Sequence, residues 1–141
     1  MTLLVHEIYT SVYQSVRPTK NINIGAIRPH LYIHNVPTGN LKVQICESDG
    51  TLLVESPTTN ISTISAGNEY HGYVTFYVDA MLLKNTDYLI YVVSGGGYSF
   101  NNSAYVGVCN DYDLRKYQPN YTVNHPRFAP LDLEIWSLSQ K

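Results

Sequence analysis

Charge is scarce in this sequence of 141 residues. Asp, Glu, Lys and Arg make up 14% of it, and the formal net charge is −2; an average soluble domain is about one-quarter charged. No cluster of Lys or Arg occurs, which argues against nucleic acid as a partner, because phosphate backbones are held by grouped cations. Cysteine is almost absent. Cys46 and Cys109 show no CxxC or Cys/His spacing, so they give metal ligation no support. Pairing across neighbouring strands and burial as small hydrophobes both stay open for them. No apolar run approaches the ~18 residues of a membrane span, so no membrane partner is expected. The opening MTLLVHEIY carries neither a basic region nor a long apolar stretch, so synthesis without a secretory signal is expected. The sequons at Asn60, Asn101 and Asn120 then read as products of an Asn- and Ser-rich composition. Helical periodicity is missing too; Ala80-Met81-Leu82-Leu83 supports one turn at most.

What is present is apolar and aromatic. Hydrophobic residues form 44% of the chain and 13 residues are tyrosine, so surface polarity comes from Asn, Ser, Thr and Tyr. Such a surface suits packing against neighbours or binding neutral ligands. The dominant pattern is period-two alternation in short segments. In His30-Leu31-Tyr32-Ile33-His34 the aliphatics point one way, and Leu41, Val43 and Ile45 alternate with Lys42, Gln44 and Cys46. VPTGN between them reads as a hairpin turn, and Asp49-Gly50 as a second, two-residue one, so a three-strand meander is expected over residues 29–55. Gly72, Val74, Phe76 and Val78 form one further alternating segment. The run Tyr88 to Val93 is apolar on both faces, as in a central strand, with Ala104 to Val108 as its partner. Leu131, Leu133 and Ile135 face away from Asp132, Glu134 and Trp136. The expected fold is all-β: a single β-sandwich domain over 1–141, jelly-roll or Ig-like, of seven to eight mainly antiparallel strands. Two stretches, about Tyr9 to Ile27 and Asp111 to Pro130, break the rhythm and read as long irregular arms, of the kind that carry function or are ordered by a neighbouring chain.

The most chemical-looking segment is GVCNDYDLRKY, Gly107 to Tyr117. Asp111 and Asp113 form either a carboxylate pair for glycosidic chemistry, oxygen ligands for Ca²⁺ with Asn110, or a polar strand end in which Asx side chains accept backbone N–H bonds and pair with Arg115 or Lys116. The strand-end reading is preferred, since Leu114, Arg115 and Lys116 follow where a calcium loop would supply further oxygens. His30 and His34 share a strand face but lie ~13 Å apart, too far for one metal ion. There is no GxSxG, and Ser94-Gly95-Gly96-Gly97 lacks the Lys-Ser/Thr and helix of a P-loop. No catalytic residue, cofactor or metal is therefore assigned, and the protein reads as no enzyme.

Tyrosine combines a large rigid contact area with a hydrogen-bonding tip and suits sugars and protein interfaces equally. Tyr112, Tyr117 and Tyr121, with Arg17, Arg28, Arg115 and Arg127 as bidentate anchors, are the candidate interface residues. Tyr73, Tyr77, Tyr98 and Trp136 are the candidate sugar-stacking residues.

The stretch YHGYVTFYVDAMLLKNTDYLIYVVSGGGYSF, with the final APLDLEIW, resembles small β-sandwich and jelly-roll virion proteins of tailed bacteriophages over about residues 70–110. LLKNTDYLIYVV is similar to a pattern found in those modules and in carbohydrate-binding jelly rolls. The likeness carries over no functional residue. It implies a non-enzymatic virion part, a capsid decoration or a tail or fibre component, assembled in the host cytoplasm with other virion proteins and as a homo-oligomer. The rivals are a carbohydrate-binding module or host-receptor adhesin, which needs an exposed aromatic floor edged by polar side chains, and a glycan-cleaving enzyme using Asp111 and Asp113.

Overall fold

The computed structural model describes residues 2–4, 11–34, 39–65, 70–95, 103–107, 121–124, 131 and 133–137. They form an all-β structure of two antiparallel sheets packed face to face. In chain order the strands are β1 (Thr2–Leu4), β2 (Ser11–Pro18), β3 (Ile22–His34), β4 (Asn40–Glu47), β5 (Leu52–Glu55), β6 (Thr59–Asn60), β7 (Tyr70–Tyr73), β8 (Phe76–Leu82), β9 (Tyr88–Gly95), β10 (Ser103–Gly107), β11 (Tyr121–Asn124) and β12 (Leu133–Ser137). A single helical turn, α1, covers Ile61–Ser65. Among the described residues no helix is long and apolar enough to cross a membrane.

The first sheet is built around β3. Its first half pairs with β8 on one flank and β12 on the other, and its second half with β7 and β10, the latter carrying β1. The second sheet runs β11-β2-β9-β4-β5, with β6 also on β4. Alternation supplies the core between them. Phe76, Val78, Ala80 and Leu82 on β8, Leu41, Val43 and Ile45 on β4, and Ile90 and Val92 on β9 all point inward and are buried. Leu131 and Leu133 close the same cluster and Ile135 packs against it, as their spacing predicts.

Of the arm expected over residues 9–27, Ser11–Pro18 is β2 and residues 22–27 are the first half of β3, while residues 9 and 10 lie outside the described residues. Two features hide these strands. Gln14 occupies an inward position on β2, where the alternation calls for an apolar side chain; it is buried, and its Oε1 accepts the Leu131 N–H at 3.1 Å. In β3 the pairing register shifts between Ile24 and Ala26, so the phase slips at Gly25. Ile22, Ile24, Ile27, Leu31 and Ile33 all reach the core, although no single period-two pattern joins them. The slip turns Arg28, His30 and Tyr32 outward, with consequences described below. Of the expected arm at 111–130, Tyr121–Asn124 is strand β11, paired with β2; residues 111–120 and 125–130 lie outside the described residues.

Strand partnership also differs from expectation. β3 and β4 belong to different sheets, so VPTGN links one sheet to the other rather than closing a hairpin, and the expected meander reduces to β4–β5. That hairpin has a three-residue loop. The Gly50 N–H donates to the Glu47 carbonyl, the Glu47 N–H to the Thr51 carbonyl, and Gly50 alone in the loop has positive φ, at 93°. This is the pattern of a turn completed by a left-handed bulge residue, not of a two-residue turn. β9 lies centrally as expected, but its neighbours are β2 and β4, while β10 pairs with β3 in the other sheet. The segment around Val74 is broken into β7 and β8, and the possible turn at Ala80–Leu83 is the end of strand β8 through Leu82, with Leu83 just beyond it.

Candidate functional site

Two outward sheet faces carry the exposed chemistry. On the first sheet, the slip at Gly25 aligns Arg28 across from Glu134 on β12, Ala26 across from both Trp136 and Tyr77, and His30 across from Tyr73. The Arg28 guanidinium forms an ion pair with Glu134 and donates to Thr75 Oγ1 at 3.0 Å. It lies 4.6 Å from the Trp136 ring centre and 5.6 Å from that of Tyr73. His30 sits edge-on to Tyr32 and Tyr73, each at 4.9 Å between centroids. Beyond this cluster Tyr77 stands 70% exposed. Three of the four candidate sugar-stacking residues, Tyr73, Tyr77 and Trp136, thus share one face, but the guanidinium of Arg28 already stacks against two of the rings. Tyr98 lies outside the described residues.

The edge of the sandwich bordering this face carries most of the exposed large apolar side chains, together with Asp79 and Glu55. β5 and β8 are the strands of the two sheets that meet there. Five of the seven large apolar side chains exposed among the described residues belong to them or follow directly: Leu52, Leu53, Tyr77, Met81 and Leu83. On its outer side β8 has no partner strand among the described residues, and Asp79 is its only charged residue. Edge strands are ordinarily blunted by lysine, proline or cover from a loop or helix.

The second sheet presents a different surface. Tyr13, 54% exposed, lies directly across from Tyr91 with ring centroids 5.2 Å apart. The row continues across β4 to Gln44 and across β5 to Glu55. Gln44 Nε2 donates to Glu55 Oε1 at 3.0 Å, and Lys42 Nζ lies 2.9 Å from the same oxygen. Those contacts, that from Gln44 first, hold the Glu55 carboxyl below its usual range. Burial pushes the Tyr91 phenol up. Further along β2, Arg17 pairs bidentately with Asp87, Nε to Oδ1 at 2.8 Å and Nη2 to Oδ2 at 2.9 Å. This pairing lowers the Asp87 pKa and raises that of Arg17. Ser15, Val16, Arg17, Asp87 and Thr122 line an open cavity of about 250 Å³.

Of the candidate interface residues, Arg17 and Arg28 are both committed to acidic partners, and Tyr121 is buried in the core, its hydroxyl pushed well up by desolvation. Tyr112, Arg115, Tyr117, Arg127 and the pair Asp111 and Asp113 lie outside the described residues. Cys46 is a buried free thiol, raised in pKa by desolvation. Among the described residues no three His, Cys, Asp or Glu side chains converge as a metal site would require. None of Tyr13, Tyr91, Asp87 and Gln44 was a candidate site residue from the sequence: Gln44 appeared only as an outward alternating position, Tyr91 only within the run Tyr88 to Val93, and the outward alternation of Tyr13, Ser15 and Arg17 is obscured by Gln14. No protein-family model and no curated protein matches the chain.

Proposed function

We propose that this protein is a non-enzymatic structural component of a tailed-phage particle, a capsid decoration or a tail or fibre component, acting through contact with other virion chains and with copies of itself. The observation that supports the reading is the apolar flank formed by Leu52, Leu53, Tyr77, Met81 and Leu83 on two edge strands. Exposed apolar groups gathered along one flank mark a protein interaction surface. An edge strand such as β8 also offers N–H and C=O groups to which a neighbouring subunit can add a strand. Arg28, held by Glu134 and stacked on Trp136, stiffens the adjoining face at little cost in ordering on assembly. The virion setting itself rests on the resemblance of residues 70–110.

The test is mass spectrometry of density-purified particles of the virus that encodes the chain. The protein is expected there at a copy number comparable with other minor structural chains, and Met81→Lys is expected to lower its incorporation while leaving the domain folded. Presence in infected cells with absence from particles refutes the reading.

A further inference from the structure

We infer that the outward face of the second sheet binds a neutral saccharide, with the Tyr13–Tyr91 ring pair as its floor and the cavity lined by Ser15, Arg17, Asp87 and Thr122 as its polar subsite. This surface lies on the sheet opposite the Arg28 face, and the inference stands on separate residues from the assembly reading.

Geometry comes first. Tyr13, Ser15 and Arg17 are alternate residues of one strand and share its outer face. Two residues along a strand cover ~7 Å, so ring floor and polar cavity are separated by ~7–13 Å along β2. That spacing places adjoining rings of a short oligosaccharide over the two parts. The cavity, at about 250 Å³, falls just below the ~300–1,000 Å³ of drug-sized sites and suits one sugar ring.

The chemistry of the lining then selects the ligand class. Two hydroxyl groups, a carboxylate and a guanidinium supply donors and acceptors together, as vicinal hydroxyls require. Arg17 and Asp87 neutralise one another, so the cavity has no excess charge with which to hold a phosphate or an acidic sugar; such an anion would meet Asp87 directly. Asp87 is nonetheless kept ionised by Arg17 to well below neutral pH and remains an acceptor. Next to Tyr91 in the same cross-strand row, the hydrogen-bonded Gln44 amide and Glu55 carboxylate provide a second polar edge. The two rings are tilted by 38° to one another, so the more exposed Tyr13 supplies the face that stacks on the C–H side of a pyranose and Tyr91 flanks it, while polar side chains at the margin read the hydroxyls. The low charge of the whole chain agrees with an uncharged ligand.

The experiment uses the full chain on an array of defined neutral and acidic oligosaccharides, followed by calorimetric titration of the strongest neutral oligosaccharide found. Binding to one class of neutral glycan is expected. Tyr13→Ala should weaken it about tenfold or more, equivalent to ~1.4 kcal/mol, and Asp87→Asn should weaken it as well, whereas Tyr13→Phe should retain most of it. Circular dichroism and the urea midpoint identify any variant that has lost its fold, and the two independent positions keep the test informative if one has. The inference is overturned by absence of neutral-glycan binding at ~1 mM sites, by binding confined to acidic glycans, or by neutral-glycan binding that both variants leave unchanged. Protein association lost in Tyr13→Ala without any glycan binding also overturns it. None of these results bears on presence in particles, so the two readings fail separately.

Discussion

Removing one hydroxyl from the buried Ser56 is expected to destabilise the fold by ~1–3 kcal/mol, the cost of leaving a buried donor without an acceptor. Ser56 follows β5 directly and is 4% exposed. Its N–H donates to the Val43 carbonyl at 2.9 Å, and its Oγ accepts the Val43 N–H at 3.0 Å while donating to the Pro57 carbonyl at 3.1 Å. The side chain therefore replaces a backbone acceptor and extends the β4–β5 ladder one step beyond the last paired residue. Both main-chain groups of Val43 face this side of β4, away from its cross-strand partner Val92 on β9. Val43 is fully buried, so water cannot take over as acceptor in Ser56→Ala without opening the strand. With an unfolding entropy of ~2.1 cal/mol/K per residue, the loss corresponds to a Tm lower by roughly 3–10 °C for a chain of this length. Urea unfolding with an unchanged m-value measures the difference, and amide exchange at Val43 should accelerate more than at Ile45. Exposed Thr58→Ala, expected within ~0.5 kcal/mol of the parent, is the control. A Ser56→Ala midpoint equal to that of the control would refute the reasoning, because it would mean that the Val43 N–H needs no acceptor from this side chain.

Three further outcomes are expected. Arg28→Ala removes the cation stacked on Trp136 and leaves Glu134 without its ion pair; since Trp136 is the only tryptophan, its fluorescence should change in intensity and shift to the red, with stability lower by ~1–2 kcal/mol, and Arg28→Lys should not restore the planar stack. Asp49, Glu55 and Asp87 all have folded-state pKa values below their ordinary ones, through the Thr51 N–H, through Gln44 and Lys42, and through Arg17 respectively. Their stabilising contribution is complete above the unfolded values of ~3.9–4.3 and is lost as pH falls through the depressed ones, so the urea midpoint should drop between about pH 5 and pH 2, by less in Asp87→Asn. Gly50→Ala should cost ~1 kcal/mol in the same unfolding assay, because φ of 93° is unfavourable for a residue with Cβ although the space around it is open.

Much of the sandwich was legible in the sequence for one physical reason. A half-buried strand must alternate, and β4, β8 and β12 do so with few exceptions, which identified both the strands and their inward faces, whereas β9 was legible as a short run apolar on both sides. Two of the strands that escaped, β2 and the first half of β3, are ones in which another requirement overrode alternation. Gln14 is buried because the Leu131 N–H needs an acceptor, and the slip at Gly25 lets β3 serve two pairs of neighbours.

The candidate site was far less legible. Arg28 and Trp136 appeared as separate candidates, but their contact joins residues 108 positions apart and depends on β12 docking beside β3 in one register. Arg17 and Asp87 meet only because β9 lies beside β2, and Tyr13 and Tyr91 for the same reason. Alternation determined which face of a strand is wet. It did not determine which strand lies alongside, because ladder hydrogen bonds join backbone groups common to nearly every residue. Neighbour choice was decided by packing the two apolar faces together, and that choice alone placed the rings, the ion pairs and the cavity on common surfaces.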